Sequence, residues 1–419
     1  MKKLAGIIAL LVFQLFLVGR GERLCAQVLV NNGGLIFSTN DTIYTNGGVS
    51  NEANGTFSNS GQLYINSSGS DPGYWSNIAG NAGFTNSAGV QGASTITCYL
   101  IGGNQNIEGN ATTEFHNLRL RGSGIKQLNG VDAIVHDTLD LSTFELATGT
   151  NRLYVTNTDP NAIENVHSQG FVSSLAGGFL ARNTAQASRY VFPVGSSIGQ
   201  FRYRPVEVAP VNSASNQYAV RFFNDMADND VPAYPVAQRQ ATMSRVNEYY
   251  YHNITREQGA SPADITIYYD AASDGPTTGI AHWQNAPQWE DIVSSPDAPN
   301  YGYSSYTRQA WDFSNTSPAF ALMKLINECG EMFVPTAFSP DGNGENDMEC
   351  VYGKCVEELY FAIYDRWGEK VFETTDMTQC WDGTYRGRQM NTAVFVFYMK
   401  ANLTDGTEVV KKGNISLIR

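Results

Sequence analysis

The chain has 419 residues, of which 40 are acidic and 27 are basic, giving a net charge of −13 at pH 7. A negative surplus of this size repels the phosphate backbone of nucleic acid and anionic lipid, so nucleic acid is excluded as a partner. Neutral polymers, proteins and cations remain. The length exceeds that of one ordinary domain, and we expect two or three.

The N-terminal residues have the layout of a secretory signal peptide. Lys2 and Lys3 give a positive start, Leu4–Val18 is a nearly unbroken apolar run, and small residues near Ala26 suit a cleavage point. The apolar run is short for a membrane span, so we expect residues 1–27 to be removed during export. Their loss lowers the net charge to −16, because they carry four basic residues and one acidic residue.

Residues 28–188 are rich in Gly, Asn, Ser and Thr, and their apolar residues fall in short pairs. Each pair puts two apolar side chains on one face of a strand, and Gly or Asn turn signals separate the strands. We predict an all-β, parallel β-helix-like region in which each coil buries its pair against the next; a β-sandwich is the alternative. The pairs are Leu35/Phe37, Leu63/Ile65, Leu118/Leu120, Leu139/Leu141 and Leu153/Val155.

Residues 189–326 have longer and more aromatic strands, joined by Pro-rich connections without amphipathic helices between them. This pattern predicts an antiparallel β-sandwich. Its aromatic residues have two interpretations, a sugar-stacking platform or the core of the sandwich, and core packing is the favoured one. The residues concerned are Trp283, Trp289, Trp311 and the run Tyr249–Tyr251.

Residues 333–419 alternate short strands with strong turn signals, and the strand near residues 394–401 is apolar on both faces. A strand of this kind is typical of the middle of a sandwich, where both faces are buried. One face would carry Phe395, Phe397 and Met399, and the other Val394, Val396 and Tyr398.

Several turn motifs follow one another in a fixed order in this segment. Their positions are Pro340, Asp341, Gly342, Asn346, Asp347, Arg366, Trp367, Gly368, Trp381, Asp382, Gly383, Gly413 and Arg419. This order resembles the gliding motility-associated C-terminal domain, the type B sorting domain of the type IX secretion system. The resemblance implies an Ig-like β-sandwich that is recognised by the outer-membrane translocon with a PorP-like accessory protein. It also implies display on the outer face of the outer membrane or release from the cell.

Two structural expectations concern this sorting motif. We expect Trp367 to pack on the sandwich, while Gly368 takes a positive φ that lets the chain reverse into the next strand. The last strand, at residues 415–418, is expected to present an edge with which another sheet can pair.

Four cysteines lie within 52 residues near the C-terminus, and in an exported protein such an even cluster indicates disulfides. The spacing alone leaves all three connectivities open. The resemblance favours Cys329–Cys355 with Cys350–Cys380. Cys98 is the odd residue and is expected to be a buried thiol.

One loop has a weak resemblance to a calcium site. Its oxygen-bearing side chains alternate along a Gly-bearing turn, but the EF-hand spacing is missing, and an Asx-rich turn is the favoured interpretation. The candidates are Asp341, Asn343, Glu345 and Asp347. No other cofactor or metal site is expected.

Nothing in the sequence has the form of a catalytic centre. The carboxylates of residues 28–188 are scattered, the histidines lack partners at ligand spacing, and no nucleophile-elbow, metalloprotease or P-loop motif occurs. We therefore expect a structural or adhesive surface protein that is not an enzyme. The alternatives are a module that binds surface glycans and a polysaccharide-degrading β-helix enzyme. Thr42 and Thr138 lie in Asp-Thr-aliphatic triplets that resemble O-glycosylation acceptors of the same bacteria.

Overall fold

A computed structural model describes residues 25–26, 29–31, 35–38, 42–52, 56–59, 61–67, 73–77, 97–284, 287–314, 317–326, 329–404 and 406–419. The described chain is nearly all β, with one short α-helix, α1 (Ala271–Asp274), and one 3-10 turn, Ala227–Asn229. It forms two compact units, Met1–Leu325 and Ile326–Arg419. Apart from Cys25–Ala26, the predicted signal peptide lies outside the described residues. None of the helices in these ranges is long and apolar enough to cross a membrane.

The first unit begins with short strands separated by turns, as the spacing of the apolar pairs predicts. They are β1 (Cys25–Ala26), β2 (Leu29–Asn31), β3 (Leu35–Ser38), β4 (Thr42–Asn46), β5 (Val49–Asn51), β6 (Thr56–Asn59), β7 (Gln62–Asn66), β8 (Tyr74–Asn77), β9 (Thr97–Leu100), β10 (Gln105–Gly109), β11 (Thr113–Phe115), β12 (Asn117–Leu120), β13 (Lys126–Asn129), β14 (Ala133–Val135), β15 (Leu139–Ser142), β16 (Glu145–Ala147), β17 (Arg152–Val155), β18 (Ile163–Asn165) and β19 (Phe171–Ser173).

These strands form parallel sheets that take one strand from each turn of the chain. One sheet has the order β1-β4-β7-β9-β12-β15-β18, a second β2-β5-β8-β10-β13-β16-β19, and a third begins β11-β14-β17. Leu118 lies opposite Cys98 on one side and Leu139 on the other, so a regular turn takes 20 or 21 residues. We call each of these turns a coil. The alternative prediction for this region was a β-sandwich, whose strands would pair antiparallel. The strands observed here pair parallel instead.

The predicted apolar pairs fill the interior of the coils. Both members of four pairs are fully buried: Leu63/Ile65, Leu118/Leu120, Leu139/Leu141 and Leu153/Val155. The side chains of Leu35 and Phe37 lie outside the described part of the chain. Cys98 is buried and unpaired, as predicted, and burial raises the pKa of its thiol.

The rest of the first unit consists of strands that pair mainly antiparallel, and many of them are longer than those of the coils. They are β20 (Phe179–Thr184), β21 (Tyr190–Phe192), β22 (Gly195–Ser196), β23 (Arg202–Tyr203), β24 (Val206–Pro210), β25 (Asn216–Phe223), β26 (Met243–Val246), β27 (Tyr251–Gln258), β28 (Ala263–Tyr269), β29 (Gly279–Trp283), β30 (Trp289–Asp291), β31 (Ser295–Asn300), β32 (Tyr303–Trp311) and β33 (Ala319–Leu325).

Two large sheets and the small antiparallel pair β22-β23 organise these strands, and the largest sheet is continuous with the coils. It runs β11-β14-β17-β20-β25-β27-β33-β29-β30, with β26 beside β33, and changes from parallel to antiparallel pairing at β20. The smaller sheet has the order β21-β24-β28-β32-β31. One apolar core extends through both regions.

The second unit has one five-stranded sheet of order β34-β40-β39-β35-β36 and a small pair, β37-β38. Its strands are β34 (Ala337–Phe338), β35 (Val356–Tyr364), β36 (Lys370–Thr374), β37 (Thr384–Tyr385), β38 (Arg388–Gln389), β39 (Ala393–Leu403) and β40 (Glu408–Leu417). Loops and the β37-β38 pair cover the inner face of the large sheet. The second layer therefore contains little regular strand.

Two expectations for this unit are wrong. In β39 the inner side chains are buried, but Val394 is 55% exposed and Val396 is 47% exposed, because no second full sheet covers the outer face. The last strand is not an open edge at its end. Ser416 and Leu417 of β40 pair with Ala337 and Phe338 of β34, which lies outside it in the sheet.

Candidate functional site

The predicted sorting positions are spread over 80 residues of sequence, yet most of them meet at one end of the five-stranded sheet. β34, β35 and β40 run towards this end, while β36 and β39 start from it, as their pairing registers show. We call it the motif end. It consists of loop 339–347, hairpin 365–369, loop 381–392 and residues 418–419.

Loop 339–347 is held by hydrogen bonds from its own backbone to one carboxylate. Gly342 and Gly344 both donate their backbone N–H to the Asp347 carboxylate at 2.7 Å. These two donors lower the pKa of Asp347. Asn346 adopts a positive φ of 55° and accepts a hydrogen bond from the Ser339 N–H at 2.8 Å, which closes the base of the loop.

Three of the four weak calcium candidates in this loop have local roles as hydrogen-bond acceptors. Asp341 accepts from the Asn343 backbone at 3.0 Å, Asn343 accepts from the Glu345 backbone at 2.7 Å, and both oxygens of Asp347 are engaged. Such bonds define an Asx-rich turn. Among the described residues, no group of three or more His, Cys, Asp or Glu is placed to hold a metal ion. Calcium binding stays a prediction.

Arg419 joins residues 418–419 to two other segments of the motif end, loops 339–347 and 381–392. Its Nε donates to the Met390 carbonyl at 2.9 Å, and its two terminal nitrogens lie 3.4 Å from the carbonyl oxygens of Pro340 and Gly383. Its backbone N–H donates to the Thr392 hydroxyl at 3.2 Å. A guanidinium can serve several acceptors at once because its donors are fixed in one plane.

Gly383 allows this close approach. Its φ is 74°, a region that L side chains disfavour. A Cβ atom at this position would lie 2.8 Å from Leu417 and 3.2 Å from Pro340. Gly413 is needed for a different reason, since a Cβ there would lie 2.7 Å from the Phe397 ring.

Trp381 and Asp382 anchor the loop that contains Gly383. Trp381 is buried, its ring centre lies 4.8 Å from that of Phe395, and its indole N–H donates to the Thr384 carbonyl at 2.9 Å. The Asp382 carboxylate accepts from the backbone and the hydroxyl of Thr384, at 2.9 Å and 2.7 Å. These contacts make the Trp-Asp-Gly motif a structural turn.

Hairpin 365–369 is a tight turn with a fixed backbone. Gly368 donates its N–H to the Asp365 carbonyl at 3.0 Å and has a φ of 81°, which confirms the predicted positive φ. The Asp365 carboxylate accepts the backbone N–H groups of Trp367 and Glu369 at 2.8 Å and 2.9 Å. Glu369 also accepts from the Tyr385 hydroxyl at 2.8 Å, which ties the hairpin to the β37-β38 pair.

The expectation that Trp367 packs on the sandwich is wrong, since 80% of this residue is exposed. It is the third residue of the turn at the hairpin tip, a position from which the side chain points away from the sheet. Its neighbour is Arg366, whose guanidinium carbon lies 5.2 Å from the centre of the indole ring.

One disulfide joins Cys329 to Cys355 and the other joins Cys350 to Cys380. This is the pairing that the resemblance implied. The first closes the end of the sheet opposite the motif end, where Cys355 accepts a hydrogen bond from the Thr404 N–H. The second links the loops that form the inner layer.

Glu349, next to the second disulfide, is a buried carboxylate that the sequence did not mark as special. It is 0% exposed, and its backbone exchanges two hydrogen bonds with Trp381. Neither side-chain oxygen has a hydrogen-bond partner among the described residues. Desolvation raises the pKa of Glu349 to about 8.

The remaining sequence candidates lie in the first unit. Thr42 is exposed on β4, and Thr138 is half-buried, with its N–H bonded to Asn117. The aromatic residues proposed as a sugar platform are core residues except Tyr249: the three tryptophans, Tyr250 and Tyr251 are buried. Buried rings have no face to offer a sugar, so the core interpretation holds for them.

Sequence reasoning missed the partners of Arg419 at Met390 and Thr392, and it missed Glu349. Met390 accepts through its backbone carbonyl and Thr392 through a common hydroxyl, so nothing in their residue types marks them. The burial of Glu349 depends on Trp381, 32 positions away in sequence. The only signal for Glu349 in the sequence was its position next to Cys350, one of the four clustered cysteines.

Comparison with known proteins gives one family match. Residues 332–417 match the family described as CHU_C Type IX secretion signal domain. No curated protein sequence matches this chain. Among solved structures, a crystal structure of dimeric latent PorU from Porphyromonas gingivalis is similar over 54% of this chain and 25% of its own length, at 10% identity and a TM-score of 0.15. This likeness is too low to carry an argument.

The family match covers the segment in which the motif loops converge, and it confirms the resemblance deduced from their order. It accounts for about a fifth of the sequence. Over residues 332–417, this chain is similar to the type IX secretion signal domain of the CHU_C family.

Proposed function

We propose that this protein is a cell-surface or extracellular protein that type IX secretion carries across the outer membrane. The signal domain at residues 332–417 supports export by this route. The proposal assigns an inner-membrane step to the signal peptide at residues 1–27. Residues 28–326 are then the cargo, with a structural or adhesive role.

One observation carries the proposal: the motif loops form a single surface. Arg419 joins Pro340, Gly383 and Met390, and Glu369 joins hairpin 365–369 to Tyr385. A receptor can read such a surface only when the domain is folded, because the positions are remote in sequence. The proposed readers are the outer-membrane translocon and a PorP-like accessory protein.

Deletion of residues 333–419 tests the proposal in the secreting bacterium. We expect the truncated protein to remain in the periplasm, whereas the full chain labels with a membrane-impermeant reagent on intact cells. Thr42→Ala, an exposed change in the cargo, is the control and leaves labelling unchanged. Surface labelling of the truncated protein at the wild-type level contradicts the proposal.

The cargo is proposed to have no catalytic activity. This part of the proposal rests on the sequence, in which no hydrolase or lyase motif occurs. Release of reducing sugars from bacterial or plant polysaccharides by the purified full chain would contradict it.

A cleft on the coils favours glycan binding as a second candidate function. Its volume is about 840 Å³, and its lining combines apolar residues such as Ile125 and Ile198 with amide and hydroxyl groups such as those of Gln127, Asn129 and Ser196. Neutral sugars have apolar ring faces and many hydroxyls, and amide side chains can donate to and accept from them. Neither Lys nor Arg is among the lining residues, so an anionic polymer is a poor fit.

A glycan array probed with the full chain tests this second candidate. Gln127→Ala should weaken binding of any glycan that is found, while Gln258→Ala, which removes an exposed amide from a strand outside the cleft, should not. An array without binding, or equal binding by both variants, leaves the structural or adhesive role as the proposal.

A further inference from the structure

Trp367 differs from every other tryptophan of this chain. The other five are at most 9% exposed, while Trp367 is 80% exposed. An aromatic side chain of this size buries about 150–250 Å² when it packs, and that area is one of the larger stabilising contributions a residue can make. Here most of it faces solvent.

The turn itself does not need a tryptophan at this position. The reversal depends on the positive φ of Gly368 and on the Asp365 carboxylate, which binds the backbone N–H groups of residues 367 and 369. These interactions involve only the backbone of Trp367. The indole therefore contributes little to the fold, although the backbone beneath it is held rigidly.

Arg366 adds a positive charge beside the exposed indole of Trp367. Its guanidinium carbon lies 5.2 Å from the centre of the indole ring, within the range of a cation–π contact. Within the described part of the chain it forms no ion pair with a carboxylate. Tryptophan and arginine are the residue types that most often dominate the binding energy of protein interfaces, and a rigid presentation lowers the entropy lost on binding.

Apolar surface continues from the hairpin onto the open face of the sheet. Tyr364, which directly precedes the hairpin, lies opposite Val396, and Val394 is two residues nearer the motif end on the same face. Both valines are about half exposed. Together, Arg366, Trp367, Val394 and Val396 form a patch that we call the tip patch.

We infer that the tip patch is the docking contact of this domain with an outer-membrane component of the type IX machinery. The inference rests on the proposed function and assigns a contact within it. The partner should offer an apolar pocket for the indole, with a carboxylate placed to meet Arg366. The nearby acidic loop with Asp341, Glu345 and Asp347 disfavours an anionic lipid surface as the occupant, because like charges repel.

The test measures export of the full chain by surface labelling and periplasmic fractionation. We expect Trp367→Ala and Arg366→Ala to lower the surface fraction, the first by about tenfold or more, as for an interface anchor. Trp367→Phe should restore part of it. Phe333→Ala is the matched control, because Phe333 is an exposed aromatic residue of the same domain that precedes the sheet, and it should be displayed normally.

A second measurement separates docking from folding. Thermal unfolding of the purified full chain should be the same for Trp367→Ala and wild type, because the indole buries little area. If Trp367→Ala and Arg366→Ala are displayed normally while the truncated chain is retained, the inference is wrong and the proposed function stands. If wild type is a dimer in solution that Trp367→Ala dissociates, with display unchanged, the occupant is a second copy and the inference is overturned. Display of the truncated chain contradicts the proposed function itself.

Discussion

Glu349→Gln should stabilise the C-terminal unit at neutral pH, and the gain should disappear in acid. The folded state holds this carboxyl with a pKa of about 8, compared with 4.5 for an ordinary glutamate. The folded state therefore binds more protons than the unfolded state between these values, and stability falls as the pH rises from 4.5 towards 8. Glutamine has the same shape and remains neutral throughout.

The size of the effect follows from the shift in pKa. Each pKa unit corresponds to about 1.4 kcal/mol, so ionisation of the unfolded carboxyl between pH 4.5 and pH 7 limits the gain in free energy of unfolding to about 3.4 kcal/mol. At pH 4 both side chains are neutral and the difference should approach zero. A carboxylate without a hydrogen-bond partner has no compensating interaction to reduce this cost.

Hydrogen–deuterium exchange of peptides covering Ala393–Leu403 and Glu408–Leu417 measures the change in stability of the C-terminal unit itself. The ratio of variant to wild-type exchange rates at one pH cancels the intrinsic pH dependence of exchange. At pH 7 we expect these peptides to exchange about a hundredfold more slowly in the Glu349→Gln variant than in wild type. At pH 4 we expect the two rates to be equal. Glu345→Gln, the same substitution at an exposed position, serves as control. A ratio that does not change with pH would show that Glu349 is ionised in the folded protein.

Three further predictions concern stability. Replacing Cys350 and Cys380 together by Ser should destabilise the C-terminal unit by about 3–4 kcal/mol, because the disulfide closes a separation of 30 residues; urea unfolding measures it, and a loss below 1 kcal/mol contradicts it. Gly368→Val should cost about 1–3 kcal/mol because of its positive φ, whereas Gly368→Asn, which tolerates that region, should cost less; equal melting temperatures refute this. Burial lowers the pKa of His252 and His282 to about 4, so the first unit should be fully stable above about pH 6.5 and lose stability as the pH falls towards 4. His252→Gln should make this acid loss shallower, and an unchanged slope would contradict the assignment.

The short strands of the coils could be predicted because their apolar pattern is local. An apolar residue at every second position, followed by a Gly or Asn turn, specifies a short strand with one buried face, and Leu118/Leu120 and Leu139/Leu141 follow it. Turn residues are equally local, which explains why the positive φ of Gly368 was predicted correctly. The match of residues 332–417 to a known family was visible from the order of such turns.

The features that were missed depend on contacts between distant segments. Both faces of β39 are apolar in sequence, but whether a second layer covers them depends on the rest of the domain, and here Val394 and Val396 stay half exposed. The position of Trp367 in a tight hairpin overrides the tendency of tryptophan to be buried. Glu349 is buried against Trp381 although glutamate is rarely buried without a partner.

The change from parallel to antiparallel pairing at β20 has a consequence for assembly. A stack of parallel coils that ends in water leaves unpaired backbone groups and an uncovered apolar cross-section, on which a second molecule can add and a fibre can grow. In this chain Leu180 of β20 is paired with Val220 of β25, and the next coil is replaced by a strand running the other way. In this sheet the antiparallel strands therefore close the edge on which a further coil, or a second molecule, would otherwise add.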